Sequence, residues 1–358
     1  NKISRKDGKK MKKFLSLLMV LTMTVMLAAC GAKEAPAQTT ENAANETAAN
    51  EDTENEDAAE SPSGEAAEAK TFTIGYSALT LGDSYCKALA DAIEKYAKEM
   101  GMECTVLDGQ VDATKQMETI DTFYNKKVDL VIVQPIPGVE SSLVKFNESG
   151  TPVLFVNSYP TITEEFELSY SYVGSRETEA GEEQAKYLAE VLPENATVCV
   201  VLNALGFTNT ESRRNGFVDK MNEIRPDVQI IAEQTGDSDT NKTMSVIEDW
   251  LQLYGEDGIN AIVSGCNAST IGIVEVLKSH DLCGKILVAG IDCLSPYGPD
   301  NLTAGNVAVD IFQNPDEQAR IAIETALKLL EGETVEEETW VKWEPVTAEN
   351  AKDYYDRY

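Results

Sequence analysis

Short apolar runs rich in β-branched residues alternate with amphipathic stretches from residue 71 onward. Continuous apolar runs of this length are typical of strands that are covered on both faces, as in a parallel sheet. The pattern therefore predicts strands separated by helices. The predicted strands are Phe72–Tyr76, Val128–Val133, Val153–Val156, Thr197–Leu202, Val228–Ala232, Ala261–Ser264 and Ile286–Ile291.

The stretches between these runs carry helical signals. Tyr85, Leu89, Ile93 and Ala97 recur every four residues, and Gly101 follows as a stop signal. A second helix is predicted over residues 180–191. A third begins at Asn314-Pro315-Asp316-Glu317, where an N-cap residue precedes a first-turn proline and a capping-box acid, and it ends near residue 332.

Strand–helix alternation at this spacing predicts an α/β fold built from βαβ units. About 270 residues are too many for one doubly wound sheet of ordinary size, so we predict two doubly wound parallel-sheet lobes.

The first 30 residues read as an export signal. Met11-Lys12-Lys13 is a plausible start, with residues 1–10 upstream of it, and an apolar run over residues 14–29 follows. The run is too short to be a comfortable transmembrane span, although a membrane anchor helix is the alternative. Its end, Leu27-Ala28-Ala29-Cys30-Gly31, resembles a bacterial lipobox. That resemblance implies that Cys30 becomes the lipidated N-terminus.

Residues 31–70 hold eleven acidic residues, two lysines and no bulky apolar residue. Such a segment cannot bury enough surface to offset its chain entropy, so we predict a disordered acidic tether. The whole chain has a formal net charge of −31. This charge argues against a nucleic-acid partner, because phosphate binding needs a basic face.

Polar side chains directly follow several predicted strands. Asp83 and Tyr85 come after the first strand, Asn157 after the third, Asn267 after the sixth and Asp292 after the seventh. In open α/β sheets, ligands bind beyond the carboxyl ends of the strands. Carboxylates and amides can hydrogen-bond to vicinal hydroxyls, and aromatic rings can cover the apolar faces of sugars. The sequence therefore predicts a site for a small polar ligand.

The body resembles the type I periplasmic binding proteins, in particular their ribose- and galactose-binding branch. The likeness rests on Thr105-Val-Leu-Asp-Gly-Gln110, Asp129-Leu-Val-Ile-Val-Gln-Pro135, Ala289-Gly-Ile-Asp-Cys293 and Gln313-Asn-Pro-Asp-Glu-Gln318, in this order and spacing. It implies a ligand-binding protein of an ABC importer, without catalysis or cofactor. It also implies a small sugar-like ligand, a permease partner, a lipid-anchored extracytoplasmic location and a monomer. For the fold, it implies that the two lobes are joined by a multi-strand hinge. The N-terminal lobe would then comprise residues 71–173 and 313–340, and the C-terminal lobe residues 174–312 and 341–358.

Carried over by position, the resemblance implies ligand contacts from Asp83, Tyr85, Asp292 and Gln313, and from Asn267 or, one position earlier, Cys266. For both Asp83 and Asp292, capping of the helix that follows is the structural alternative.

Three departures from the ribose pattern matter, and one of them is Asp237-Ser238 in place of the phenylalanine that ribose binders stack on the ligand. Asn157-Ser158 stands where ribose binders carry Asp-Arg, and Glu211 stands where the family carries a ligand arginine, with Arg213 two positions away. We therefore expect Asn157 and Glu211 to contact the ligand, in a cleft that lacks the arginine donors of ribose binders. Such a cleft suits a polyol, a hexose, an amino sugar or another cation.

Other functions have less support in the sequence. A glycosidase could pair two of Asp83, Asp292 and Glu211 as acid and base. A DNA-binding regulator would need an N-terminal helix-turn-helix where this chain has the export signal. A ligand sensor for a membrane receptor would share every feature of the transport protein. No metal site is predicted, since Lys242 occupies the glycine position of the only EF-hand-like spacing.

Overall fold

A computed structural model describes residues 71–357 of the chain. The signal, lipidation and tether predictions for residues 1–70 lie outside the described residues. The first sheet has the strand order β11-β5-β4-β3-β1-β2, and every neighbouring pair is parallel. Its strands are β1 (Thr73–Ala78), β2 (Glu103–Asp108), β3 (Leu130–Val133), β4 (Val153–Val156), β5 (Ser171–Gly174) and β11 (Glu338–Trp340).

The second sheet repeats this plan with the order β12-β10-β9-β8-β6-β7. Its pairs are parallel except for β10 with β12, which is antiparallel. Its strands are β6 (Thr197–Leu202), β7 (Gln229–Thr235), β8 (Ala261–Val263), β9 (Leu287–Asp292), β10 (Val309–Phe312) and β12 (Glu344–Val346). The prediction of two parallel-sheet α/β lobes is confirmed.

Helices lie between the strands in both lobes. They are α1 (Ser84–Glu99), α2 (Ala113–Lys126), α3 (Val144–Glu148), α4 (Glu177–Val191), α5 (Thr208–Ile224), α6 (Thr240–Tyr254), α7 (Asn267–Ser279), α8 (Tyr297–Thr303) and α9 (Pro315–Leu330). In the part of the chain that the structure describes, none of them is long and apolar enough to cross a membrane.

Each sheet is buried on both faces, as the continuous apolar runs predict. In β3, Leu130 and Ile132 join one apolar cluster while Val131 and Val133 join another. The strands β6, β8 and β9 divide their side chains in the same way between two clusters of the second lobe. Because successive strand side chains point to opposite faces, a continuous apolar strand packs against the helices on both faces of the sheet.

The chain passes between the two sheets three times: after β5, after β10 and after β11. In both sheets the strand order reverses beside the first strand of the lobe, between β1 and β3 and between β6 and β8. A crevice opens at such a reversal because the helices on its two sides cover opposite faces of the sheet. The topology therefore gives each lobe one ligand-binding edge.

Two glycines bring α4 and α5 into backbone contact. A Cβ atom on Gly216 would lie 2.1 Å from the Thr178 carbonyl oxygen, and one on Gly181 would lie 2.1 Å from the Arg213 carbonyl oxygen. Neither oxygen can move aside without displacing a helix. This close approach places the start of α4 beside the first turns of α5.

We expect Gly216→Ala to destabilise the protein by about 1–3 kcal/mol, the usual penalty for overpacking, or more because the clash is with backbone. Urea unfolding measures the difference. The matched control is Gly82→Ala, since a Cβ on Gly82 would meet only the Thr80 hydroxyl, at 3.4 Å. Equal stability of the two variants would contradict the close packing of α4 on α5.

Candidate functional site

A cavity of about 180 Å³ lies between the two sheets, at the carboxyl ends of their strands. It is smaller than the ~300–1,000 Å³ pockets that hold drug-sized ligands, so it suits a compact molecule. Both lobes and one crossover contribute side chains. The lining residues include Asp83, Tyr85, Gln134, Asn157, Ser158, Asn203, Phe207, Asn209, Arg213, Asp237, Ser238, Asp292 and Gln313.

The wall from the first lobe begins at the N-terminus of α1. Asp83 caps this helix, with its Oδ1 accepting a hydrogen bond of 3.0 Å from the Cys86 backbone N–H. The capping alternative is therefore correct for Asp83, and the residue also lines the cavity. Tyr85 follows in the first turn and is buried, and burial raises the pKa of its hydroxyl well above the ordinary value.

Buried amides stiffen the floor of this lobe. Gln134 Nε2 donates to Asn157 Oδ1 at 2.8 Å, and Asn157 Nδ2 donates to Gln318 Oε1 at 3.2 Å. Gln318 Nε2 continues the network to Ser175 Oγ, at the first crossover. Asn157 lines the cavity as predicted, yet both ends of its amide are already bonded to protein. Its contribution is therefore chiefly to hold the floor of the site in place.

The wall from the second lobe is organised around Asp292, at the end of β9. Its Oδ2 accepts a hydrogen bond of 2.9 Å from the Asn267 backbone N–H, at the start of α7. Asp292 thus caps α7 and not the helix that follows it in the chain. The residue is 4% exposed. Burial raises the pKa of Asp292 to about 6, against the lowering effect of the Arg213 charge.

Arg213 enters the cavity from α5 and is held by two protein acceptors. Its Nε donates to Glu177 Oε2 at 2.5 Å, and its Nη1 donates to the Gly265 carbonyl at 2.8 Å. Both side chains of the ion pair are 8% exposed. Burial raises the pKa of Glu177, and the neighbouring Arg213 charge opposes that shift. Among the described residues, Nη2 of Arg213 has no hydrogen-bond partner, so it can donate to a ligand.

Several buried polar atoms around the cavity lack a partner within residues 71–357. They include the Tyr85 hydroxyl, Asn203 Oδ1, Asn267 Oδ1 and Gln313 Nε2. Leaving a buried polar atom unpaired costs about 1–3 kcal/mol, and native proteins keep few such atoms. Tyr85 and Asn203 both line the cavity, so a bound ligand can supply the missing bonds.

Unusual backbone conformations also cluster at the cavity. Val111, Asn157, Asp237, Ser238 and Asp292 all have positive φ angles, and all five line it. A positive φ is a marked outlier for a β-branched residue such as Val111, at 53°. Strained residues of this kind concentrate at ligand clamps, because the surrounding structure must hold them in place.

The structure brings most of the predicted ligand residues together. Asp83, Tyr85, Asn157, Asp292 and Gln313 all line the cavity. Asn267 lies at its edge, where Nδ2 donates to Ser84 Oγ of the other lobe at 3.2 Å. Whether each of them contacts a ligand stays a prediction.

Glu211 is the exception. It is exposed in the first turn of α5 and does not line the cavity. Arg213 lies two residues further along the helix and faces inward instead. The expectation of a cleft without an arginine donor is therefore wrong, because helical register turns Arg213 and not Glu211 toward the cavity.

Gln134 was not singled out from the sequence. It directly follows β3, so the rule of polar residues at strand ends would have found it. Asn203, Phe207 and Asn209 belong to the segment that follows β6, which the sequence marks as a candidate, and all three line the cavity. The EF-hand-like spacing forms a helix start, where Asp239 caps α6 and Asp237 pairs with Lys242.

Two α/β lobes that close a polar, strained cavity between them define a bilobed solute-binding protein. The chain belongs to the periplasmic binding protein family, whose domain model matches residues 74–334. Proteins of this family bind solutes for transport and are not enzymes, so the glycosidase alternative is set aside. The predicted type I fold and family are confirmed.

Curated relatives agree with this family. The chain is 26% identical to the ribose import binding protein of Bacillus subtilis over 329 residues, which cover 91% of this chain and 96% of the relative. It is also 26% identical to a putative rhizopine-binding protein of Rhizobium meliloti, over 81% of this chain and 94% of the relative.

A solved structure extends the comparison. A solute-binding protein of an ABC transporter from Actinobacillus succinogenes, with bound D-allose, is 26% identical with a TM-score of 0.74. The match covers 79% of this chain and 100% of that chain.

The charge state of Asp292 predicts a pH dependence of ligand binding. A ligand that donates hydrogen bonds needs the ionised carboxylate, and a pKa of about 6 leaves roughly one-tenth of it ionised at pH 5. Arg213 favours the charged form, while Asp83 and Glu177 oppose it. We therefore expect affinity to fall about tenfold from pH 7 to pH 5.

Isothermal titration at the two pH values measures this change. Asp292→Asn, which cannot titrate, should bind more weakly but with a flatter profile. The apo protein should respond in the opposite direction. A carboxyl whose folded pKa is raised stabilises the fold at low pH, and this stabilisation is lost as pH rises from about 4 through 6. A wild-type affinity that is constant from pH 5 to pH 7 would contradict the role given to Asp292.

Proposed function

We propose that the chain is the extracytoplasmic substrate-binding lipoprotein of an ABC importer, and that it binds a monosaccharide or related polyol in the cavity between its lobes. The observation that carries the proposal is the composition of the cavity wall. Carboxylate, amide, hydroxyl and guanidinium groups converge on one compact space. Such a wall offers both acceptors and donors at several angles, which is what a ring of hydroxyl groups requires.

The relatives support a carbohydrate-like ligand. The protein from Bacillus subtilis is a ribose import binding protein, and the structure from Actinobacillus succinogenes holds D-allose. A related solved structure from Bacillus halodurans, 25% identical with a TM-score of 0.73, holds myo-inositol. Phe207 supplies a ring on the cavity wall that can cover an apolar sugar face.

Closure of the lobes couples binding to transport. Within residues 71–357, hydrogen bonds that already span the cleft include Asn267 Nδ2 to Ser84 Oγ at 3.2 Å and Thr208 Oγ1 to the Tyr159 carbonyl at 3.3 Å. Both lie where one lobe meets the other, so a ligand that bonds both lobes adds to the same closed arrangement. The closed monomer then docks on the transmembrane permease subunits, and hinge opening releases the ligand.

The N-terminal lipid anchors the protein to the outer face of the cell membrane. The lipobox-like sequence ending in Cys30 supports this part of the proposal, and the acidic segment over residues 31–70 gives the body reach from the membrane. Each buried methylene of the acyl chains contributes about 0.8 kcal/mol, so a multiply acylated cysteine holds the protein firmly.

Cys30→Ala is expected to abolish lipidation of the full-length chain. In a bacterial host, the wild-type protein should incorporate labelled palmitate and sediment with the membranes, whereas Cys30→Ala should do neither. Cys283→Ala is the matched control, because Cys283 lies in the folded body and should leave both readouts unchanged. Membrane sedimentation of Cys30→Ala equal to that of the wild type would contradict the anchor.

A thermal-shift screen of the body from Thr71 onward tests the ligand class. The panel comprises pentoses, hexoses, polyols, amino sugars and nucleosides. A ligand at 100 times its Kd should stabilise the protein by about 2.7 kcal/mol. A hit that disappears in Asp292→Ala and Gln313→Ala supports the proposal. The absence of a shift with every sugar and polyol would overturn it.

A further inference from the structure

The carboxylates of the cavity are not balanced by cations. Asp83, Asp237 and Asp292 line it, and Arg213 is the cation that faces them. Arg213 is already neutralised by Glu177 at 2.5 Å. Asp237 has its own partner, Lys242, at 2.9 Å. Asp83 and Asp292 are left, and neither forms an ion pair among the residues of the described body.

These two carboxylates come from opposite lobes. Asp83 precedes α1 in the first lobe, and Asp292 ends β9 in the second. Each has one oxygen engaged by a backbone N–H, at Cys86 and Asn267, and the Cys86 thiol also lies within hydrogen-bonding reach of Asp83. The negative charge of Asp83 adds to the effects that hold the pKa of Asp292 above its ordinary value. The two groups therefore repel each other when the lobes are together.

Independent atoms point to a ligand in the same space. The Tyr85 hydroxyl and Asn203 Oδ1 line the cavity, lie in side chains that are each 5% exposed, and have no partner in the described chain. Asn203 Oδ1 and the carboxylates of Asp83 and Asp292 are acceptors, whereas Gln313 Nε2 is a donor that also lines the cavity without a partner in residues 71–357. These positions require mostly hydrogen-bond donors from the ligand, together with one acceptor opposite Gln313.

We propose that the natural ligand is a polyol or sugar that carries a primary ammonium group, and that this group bridges Asp83 and Asp292 across the cleft. The inference rests on the proposed function of the same cavity. An ammonium has three N–H donors and no acceptor, so it can bond both carboxylates together. It also converts a repulsion that opposes closure into an attraction that favours it. A neutral ligand that excludes water from the cavity would leave the buried Asp292 and the half-buried Asp83 without a countercharge, which is costly.

Hydroxyl groups of the same ligand fill the remaining positions. Nη2 of Arg213 can donate to a hydroxyl oxygen, and Asn203 Oδ1 can accept from a hydroxyl. Phe207 can cover the apolar face of the ring. The cavity thereby separates a cationic end of the ligand, at the two aspartates, from a hydroxylated end, at Arg213 and Asn203.

Calorimetry on the body from Thr71 onward tests the ammonium directly. D-glucosamine, D-galactosamine and an aminodeoxyinositol are each compared with the neutral parent and with the N-acetylated form. We expect at least one amine to bind at least tenfold more tightly than both of its matched forms. In Asp83→Asn and in Asp292→Asn this preference should fall to about threefold or less. Glu118→Gln, an exposed carboxylate on α2, should keep it in full.

The outcomes separate the two proposals. Equal or tighter binding of a neutral parent would overturn the ammonium bridge and leave the carbohydrate function standing. An amine preference that survives both Asp83→Asn and Asp292→Asn would also overturn the bridge. If no sugar or polyol in any form binds, both proposals fail.

Discussion

Replacing Asp292 by alanine is expected to weaken ligand binding by about 30-fold or more. Truncating one partner of a buried, charged hydrogen bond costs about 2–5 kcal/mol, and each 1.4 kcal/mol is a factor of ten in affinity. Asp292 is 4% exposed and places one carboxylate oxygen toward the cavity. Calorimetry with the tightest ligand from the screen measures the loss.

The same change has a smaller effect on stability. Asp292 accepts the Asn267 backbone N–H at the start of α7, and loss of a helix cap costs about 1 kcal/mol. Thermal melting of the apo variant separates this cost from the loss of affinity. Glu211→Ala is the informative comparison, because the sequence predicts a ligand contact there and the structure places the residue outside the cavity. Affinity losses of the same size in both variants would contradict the site described above.

Replacing Glu177 by alanine is expected to lower the free energy of unfolding by about 3–5 kcal/mol. The change leaves the Arg213 charge buried without its countercharge, and an unpaired buried charge strongly destabilises the folded state. Urea unfolding measures the difference. The matched control is Glu118→Ala, whose partner Lys115 is about half exposed, and an exposed pair of this kind contributes only ~0–1 kcal/mol.

A double variant identifies the cause of the loss. In Glu177→Met with Arg213→Met, the buried charge is removed together with its partner, so much of the lost stability should return. If the double variant is as unstable as Glu177→Ala, the loss comes from packing of α4 against α5 and not from the uncompensated charge.

Local patterns were sufficient to predict seven of the twelve strands in the described part of the chain. The buried strands β3, β4, β6 and β8 are short apolar runs whose own composition marks them, and each predicted run corresponds to an observed strand. The last long helix begins where Asn314 and Pro315 predict, with Asn314 Oδ1 accepting the Glu317 backbone N–H. These features depend on neighbouring residues only.

Strands that depend on their partners were missed. Both β11 and β12 are three residues long and contain a glutamate, so their extended form comes from pairing with β5 and β10. The run in β10 is interrupted by Asp310, which is buried and accepts the Cys293 backbone N–H. Tertiary contacts determine whether such segments form strands, and the pattern of hydrophobic residues along the sequence does not reveal those contacts.

The site residues also divide into those that local sequence predicts and those that depend on tertiary contacts. Residues that directly follow a strand, such as Asp292, were predicted because topology alone places them at the crevice. The choice between Glu211 and Arg213 was not, since it depends on the rotation of α5 against α4. That rotation is set by the contacts of Gly181 and Gly216 across the two helices. Similarly, the engagement of Asn157 by Gln134 and Gln318 is a property of the folded core.

A crystal structure of the body with its tightest ligand tests the central claim most directly. The account predicts that the ligand lies between the lobes, within hydrogen-bond distance of Asp292 and Arg213 from one lobe and Asp83 from the other, with Gln313 at the crossover beside it. A ligand bound outside this cavity, or one that contacts a single lobe only, would contradict it.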